Sequence, residues 1–398
     1  MRRFALLLLI TIFVYDSTLV AEDKLFPWNK SPSEQIDSGL LKQIDNWLTY
    51  GDPDRLANHD STASRFRNNL RMTVDLAGRG IIPHKGGNSG SGSVAFIGLD
   101  IHKVFSDDNG DFATLIAQPY LTKLNSVKGP HFFEGDNDWE VVNRIMNVNF
   151  TRVFDERMNI KVGHFEVPYG LEQPLNTNGT LRDMTHPRNL GVKADWGVTL
   201  NGTLTDYEYE VGVSRGTGNE FFDSEDPYVM AGRFGTKHVE NFIVGVSFLK
   251  GTIWNPGALN AYKRGLVDVS GVIGNVIDRE RIGLDIQYHF ERPVSLLAEF
   301  NYGKDFERDV FNTMIELDVY NPSKSSMWFT QWNYYSEEYD ADLGGWESQI
   351  DGSIGWRWTP NNNWALSMMY VQEISAKKLD DASVQLGSKF IAQLRYRF

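Results

Sequence analysis

Nine basic side chains are spaced so that they could handle anions. Arg67 and Arg71 stand four residues apart and Arg395 and Arg397 two apart, so each pair projects from one face of an extended strand. Arg357 sits in a similar alternating segment, and Lys161 shares the parity of Gly163. Arg182, Arg188 and Lys193 fall within one long connection. Guanidinium groups form bidentate bonds to carboxylate or phosphate. A line of them in a narrow passage with low-dielectric walls would lower the barrier for anions and raise it for cations. The competing reading is that each cation pairs with a carboxylate such as Asp75, Asp195 or Asp351 and only braces a wall.

Other chemistry is sparse. The chain has no G-x-S-x-G, H-E-x-x-H or P-loop pattern, so no catalytic residue is assigned. Gly86 to Ser93 is rich in Gly and Ser but lacks the Lys-Ser/Thr and helix of a phosphate loop, and reads as a flexible connection. His84, His131 and His186 lie in connections and read as solvated, so neither metal nor cofactor is expected. Three acidic clusters also read as connections: Glu134, Asp136, Asp138 and Glu140; Glu220, Asp223, Glu225 and Asp226; and Glu337, Glu338, Asp340 and Asp342. They are either solvated surface or hard oxygen ligands that tie divalent cations to lipid phosphates. The absence of cysteine excludes disulfides, a thiol nucleophile and covalently attached haem. The net charge of −13 argues against a nucleic-acid partner.

The elements that would position these groups are short strands. Residues 1–21 read as a signal peptide: Met1-Arg2-Arg3, an apolar run from Phe4 to Val14, then small residues up to Ala21. The run is too short for a spanning helix, which needs about 20 residues. Residues 22–64 form an N-terminal segment placed in the periplasm. Within it, Ile36, Leu40, Leu41, Ile44, Trp47 and Leu48 recur at helical spacing. That short helix either lies in the periplasm or plugs a lumen; the alternative is a loosely ordered leader.

From residue 65 to 398 the period changes to two. Phe390, Ala392, Leu394, Tyr396 and Phe398 alternate with Ile391, Gln393, Arg395 and Arg397, so one face would meet lipid and the other water. Such segments number sixteen: 65–76, 92–105, 112–124, 141–154, 157–166, 194–203, 206–215, 226–236, 240–250, 281–290, 294–304, 310–320, 325–336, 349–359, 363–374 and 387–398. Their connections alternate short and long, as in outer-membrane barrels with short periplasmic turns and long external loops. The expected fold is all-β, a transmembrane antiparallel sixteen-stranded barrel with a short N-terminal helix. Trp328, Trp332, Tyr334 and Tyr335, with Trp356 and Trp358, are candidate girdle residues at the bilayer edge.

Two segments carry a family resemblance. Lys161-Val-Gly-His-Phe-Glu-Val-Pro-Tyr-Gly-Leu-Glu172 and Asp195-Trp-Gly-Val-Thr-Leu-Asn-Gly202 resemble the phosphate-selective porin (O and P) family over about 40 residues. The ending Tyr396-Arg397-Phe398 is similar to the signature that hands outer-membrane proteins to the barrel-assembly machinery. The resemblance implies sixteen strands, a third external loop folded into the lumen, and homotrimers. It implies an outer-membrane channel, among lipid and lipopolysaccharide, for passive diffusion of small solutes; the arginines add an anion preference. The alternative is a barrel sheath around a partner such as an electron-conduit cytochrome, whose haem the partner would bring. A folded-in loop would obstruct such a plug.

Overall fold

The structure, a computed structural model, describes residues 69–85, 91–107, 110–125, 139–153, 158–175, 180–221, 227–237, 241–254, 276–290, 293–323, 325–340, 345–377 and 386–398. The leader, the N-terminal helix and Arg67 lie outside them. Sixteen strands are present: β1 Leu70–Lys85, β2 Gly92–Asp107, β3 Gly110–Asn125, β4 Trp139–Val153, β5 Met158–Glu166, β6 Ala194–Thr203, β7 Tyr207–Ser214 and β8 Val229–Thr236. They continue with β9 Phe242–Trp254, β10 Val276–His289, β11 Val294–Asp305, β12 Arg308–Tyr320, β13 Ser326–Asp340, β14 Gly345–Trp358, β15 Trp364–Lys377 and β16 Ser388–Arg397. Each pairs with its sequence neighbours, and β1 pairs with β16, so the barrel is closed. The closing rung includes Val74 N–H to Phe398 O at 2.7 Å, with the return bond at 3.1 Å. Closure leaves no edge in lipid, where an unsatisfied backbone group costs several kcal/mol.

Alternation sorts the two faces. On β10, Arg279, Arg281 and Asp285 are buried toward the lumen, while Ile282 and Leu284 stand outward, 62% and 40% exposed. Outward aromatic rings gather where the short turns lie: Trp328 beside Trp356 at 6.2 Å, Trp356 beside Trp358 at 6.4 Å, and Trp364 beside Tyr396 at 4.5 Å.

Several expectations are corrected. The first strand runs to Lys85 rather than ending at Leu76. Gly78 and Gly80 continue the ladder with both neighbours, and no atom lies within 4 Å of where their Cβ would be, so the glycines leave the wall bare instead of ending the strand. Glu140 and the group Glu337, Glu338 and Asp340 lie in β4 and β13, not in connections; the other acids of those clusters lie outside the described residues, as do Asp223, Glu225 and Asp226. Tyr335 is no girdle residue, because Arg188 lies over its ring at 4.8 Å on the lumen side. The long-short alternation breaks at β11–β12, where Asp305 pairs with Arg308 around a two-residue turn led by Phe306 at φ 57°.

Candidate functional site

The connection from β5 to β6 enters the lumen. Its neck is tied by Val167 N–H to Lys193 O at 2.9 Å. Gly170, at φ 58°, turns the chain against the opposite wall, where its N–H donates to Ser247 Oγ at 3.0 Å and a Cβ would strike the Glu299 carboxylate. Buried Glu299 then accepts Leu171 N–H at 2.5 Å and Glu172 N–H at 2.9 Å. These are orphan donors at the start of a one-turn helix, α1, Glu172–Leu175. The Tyr169 hydroxyl donates to Asn301 at 2.8 Å, and the Thr185 hydroxyl donates toward Asn312 at 3.0 Å and also reaches Glu172.

The far leg seats on β12–β16 and β1. Leu181 packs with Met327, Phe329, Met369, Val371 and Ile391. Arg182 Nε donates to Glu316 at 2.6 Å, its Nη2 to Asp318 at 3.2 Å, and its guanidinium lies 5.7 Å from the Phe329 ring centre. Burial disfavours its charge, but Glu316 and Asp318 outweigh that and hold its pKa above the ordinary arginine value. Asp183 N–H donates to Gln331 at 3.0 Å, and Asn333 donates back to Asp183 O at 2.5 Å. A second one-turn helix, α2, His186–Asn189, places Asn189 to accept from Arg281 at 2.9 Å. The loop therefore crosses the lumen from one wall to the other.

The candidate cations divide into two groups. Arg395 makes a two-bond contact with Asp75 at 2.7 and 2.5 Å, and Arg397 reaches Asp100 at 2.5 Å. Lys161 reaches Glu210 at 2.8 Å, and Lys193 reaches Glu166 at 3.4 Å. Burial pushes the Lys193 amine down to about 8 despite Glu166. With Arg182, these five have carboxylate partners. Arg188 is exposed and bonds neutral Gln349 at 3.0 Å; Arg71 is exposed near the short-turn end of β1. Arg357 makes no hydrogen bond or ion pair among the described residues, and its Nε is buried without a partner. Of the three carboxylates expected to brace arginines, only Asp75 does so among the described residues. Asp195 accepts the backbone N–H of its neighbour Trp196 and those of Gly216 and Gly218, because the β7–β8 connection folds back on it. Asp351 accepts Gln349 at 2.9 Å.

The structure adds cations beyond those expected from the sequence. Arg233 pairs with Asp285 at 2.8 Å, Arg279 and Arg281 share Asp305, and Arg144 reaches Glu166 at 3.3 Å. Their same-parity spacing with acids, as in Arg279, Arg281 and Asp285, is the signal that could have found them. Arg79 falls outside the expected first strand, which stops before the glycines that flank it. Its hydrogen bonds go to neutral oxygens, Gln393 Oε1 at 2.8 Å and Thr180 O at 3.2 Å. Strand register lines up Arg79, Gln393, Ser367 and Arg357 across four adjacent strands, with Thr180 of the loop against Arg79.

No protein-family model matches the chain, and no curated protein does. Solved structures do. OmpF of Salmonella typhi, in complex with daunomycin, aligns with TM-score 0.58 at 11% identity over 83% of this chain and 97% of its own. OprB of Pseudomonas putida aligns with TM-score 0.57 at 10% identity over 89% and 97%. An anion-selective porin from Comamonas acidovorans aligns with TM-score 0.54 at 11% identity over 83% and 99%. The chain is thus a sixteen-stranded barrel of the cell outer membrane, with the fold of the porins.

Proposed function

We propose that the protein is a passive, water-filled channel for small solutes with a mild preference for anions. The observation that supports this most is the row that meets the loop at Thr180. Arg79 and Arg357 there bring two guanidinium groups without a carboxylate, whereas Lys161, Arg182, Lys193, Arg395 and Arg397 are each neutralised by a neighbour. The preference is carried by the wall rather than by Arg182. A closed barrel of sixteen strands is wide enough for an aqueous lumen, and a loop lying across it narrows the path to where two uncompensated charges act at short range. The anion selectivity of the Comamonas neighbour and the resemblance to phosphate-selective porins accord with this reading. The same reading puts the short turns in the periplasm, lipopolysaccharide around the long-loop end, the assembly machinery at the Phe398 end, and a homotrimer as the assembly. The sheath alternative is disfavoured, because the loop occupies the space a cytochrome would need.

Reversal potentials in planar bilayers under a KCl gradient test the proposal. We expect a mild anion preference that falls in Arg357→Ala and falls further when Arg79→Ala is added. A clear cation preference in the unaltered channel would refute it.

A further inference from the structure

The lumen wall away from the Arg79–Arg357 row carries a recess. The recess, of about 480 Å³, lies between the first leg of the loop and the short-turn ends of β5–β8. That volume falls within the range of about 300–1,000 Å³ usual for small-ligand sites. Its apolar side is made by Val167, Pro168 and Pro174 of the loop with Ile116, Ile145 and the buried Phe165 of β3, β4 and β5. Its other side is polar. Register sets Asn159 beside Asn201 and Asn201 beside Glu210, three hydrogen-bonding side chains in one row across β5, β6 and β7. Neighbouring strands lie about 4.8 Å apart. Lys161 stands two residues along on the same face as Asn159.

The charges of this wall are already spoken for. Lys161 pairs with Glu210 at 2.8 Å. Arg233 is held by Asp285 at 2.8 Å and lies 3.4 Å from Glu208. Glu166 takes Arg144 and Lys193. A bare ion entering here would have to displace one of these partners. Hydrogen-bonding capacity, in contrast, is left over in both senses. Lys161 and Thr199 both donate to Oε1 of Glu210, and among the described residues Oε2 has no bond. Asn159 donates to Asn201 at 3.0 Å and Asn201 to Asn149 at 3.2 Å, while the Asn159 carbonyl accepts nothing among the described residues. Each amide nitrogen also keeps a second N–H.

We propose that this recess is a subsite for an uncharged polyhydroxyl solute, a small saccharide, during its passage. A hydroxyl donates and accepts at once, which suits a wall of spare N–H groups, spare lone pairs and little uncompensated charge. The apolar C–H face of a sugar ring would lie against Pro168, Pro174 and the Phe165 edge. The chemistry differs from that of the Arg79–Arg357 row, and binding here is measurable without ion flow.

The test uses the full chain refolded in detergent, with maltose as the probe and binding read by isothermal titration and saturation-transfer NMR. A polyethylene glycol of matched size and glycine betaine serve as comparisons. We expect saturable maltose binding, at least tenfold tighter than either comparison. Asn201→Leu should weaken it tenfold or more, and Arg357→Ala should leave it intact. Because Asn201→Leu could impair folding, Glu210→Gln provides a gain-of-binding arm. It removes the Lys161 counter-charge, so the recess should gain affinity for acetate while losing affinity for maltose. Three results would each overturn the proposal: no saturable maltose binding, betaine bound in preference to maltose, or Glu210→Gln leaving both affinities unchanged. If the barrel binds maltose but passes no current, only the channel reading fails.

Discussion

Arg182 fastens the loop to the wall through a buried ion pair, and replacing it should unfasten the loop locally. Its side chain is 9% exposed, and its partners Glu316 and Asp318 are 0% and 2% exposed. Removing one member of a buried pair costs about 3–5 kcal/mol, because the remaining charge is left uncompensated. Arg182→Met retains the apolar stem over Phe329 and removes only the guanidinium. The local nature of the loss makes amide hydrogen exchange the right assay. Asp183 and Thr185 N–H groups, which donate to Gln331 and Glu172, report on the seated state. At tenfold per 1.4 kcal/mol, their exchange should quicken by about two to three and a half orders of magnitude. Adding Glu316→Gln should restore part of the protection, since one of the two stranded carboxylates is then neutral and only Asp318 remains. An acceleration below tenfold in Arg182→Met, or no recovery in the double variant, would show that the ion pair does not hold the loop.

The Lys193 amine has a folded pKa of about 8 against an ordinary 10.5. The unfolded chain therefore binds more protons than the folded one between those values, and stability should rise from pH 8 to pH 10.5 and stay flat below 8. Urea midpoints should show that rise in the unaltered protein and lose it in Lys193→Met; parallel curves would contradict it. Deleting Phe398 removes the rung with Val74 and the last outward ring, so the yield of heat-modifiable barrel should fall sharply in cells. Undiminished yield would mean that the closing rung is dispensable.

The strands are legible because lipid on one side and a polar interior on the other impose a period of two, which survives without any knowledge of partners. Ala194–Thr203 shows this best, with the same bounds in sequence and structure. The period fails where the outer face can be empty. Gly78 and Gly80 carry no side chain to alternate, so the pattern of β1 stops short of Arg79. The loop's entry into the lumen rests on the resemblance, because the residues that seat it lie far away along the chain. Arg182 and Glu316 are 134 positions apart, and Arg395 and Asp75 are 320 apart. Alternation says which face a cation is on but not which carboxylate it meets. The distinction between neutralised Arg395 and uncompensated Arg357 is therefore not readable in the sequence, although both stand on the lumen face.

The loop seated on Glu299, Glu316, Asn301, Asn312 and Gln331 gives this molecule a centre in which acids and amides are as enclosed as the apolar side chains. In such a centre the usual rules of substitution change sign. A hydrophobic replacement that would strengthen the middle of a soluble domain would here take away the acceptors of the Leu171, Glu172 and Asp183 N–H groups. Variation in this protein should therefore be freest among the greasy residues of its outer belt, where one aliphatic side chain serves lipid as well as another. It should be narrowest among the hydrophilic residues inside, each of which answers to a particular partner across the lumen.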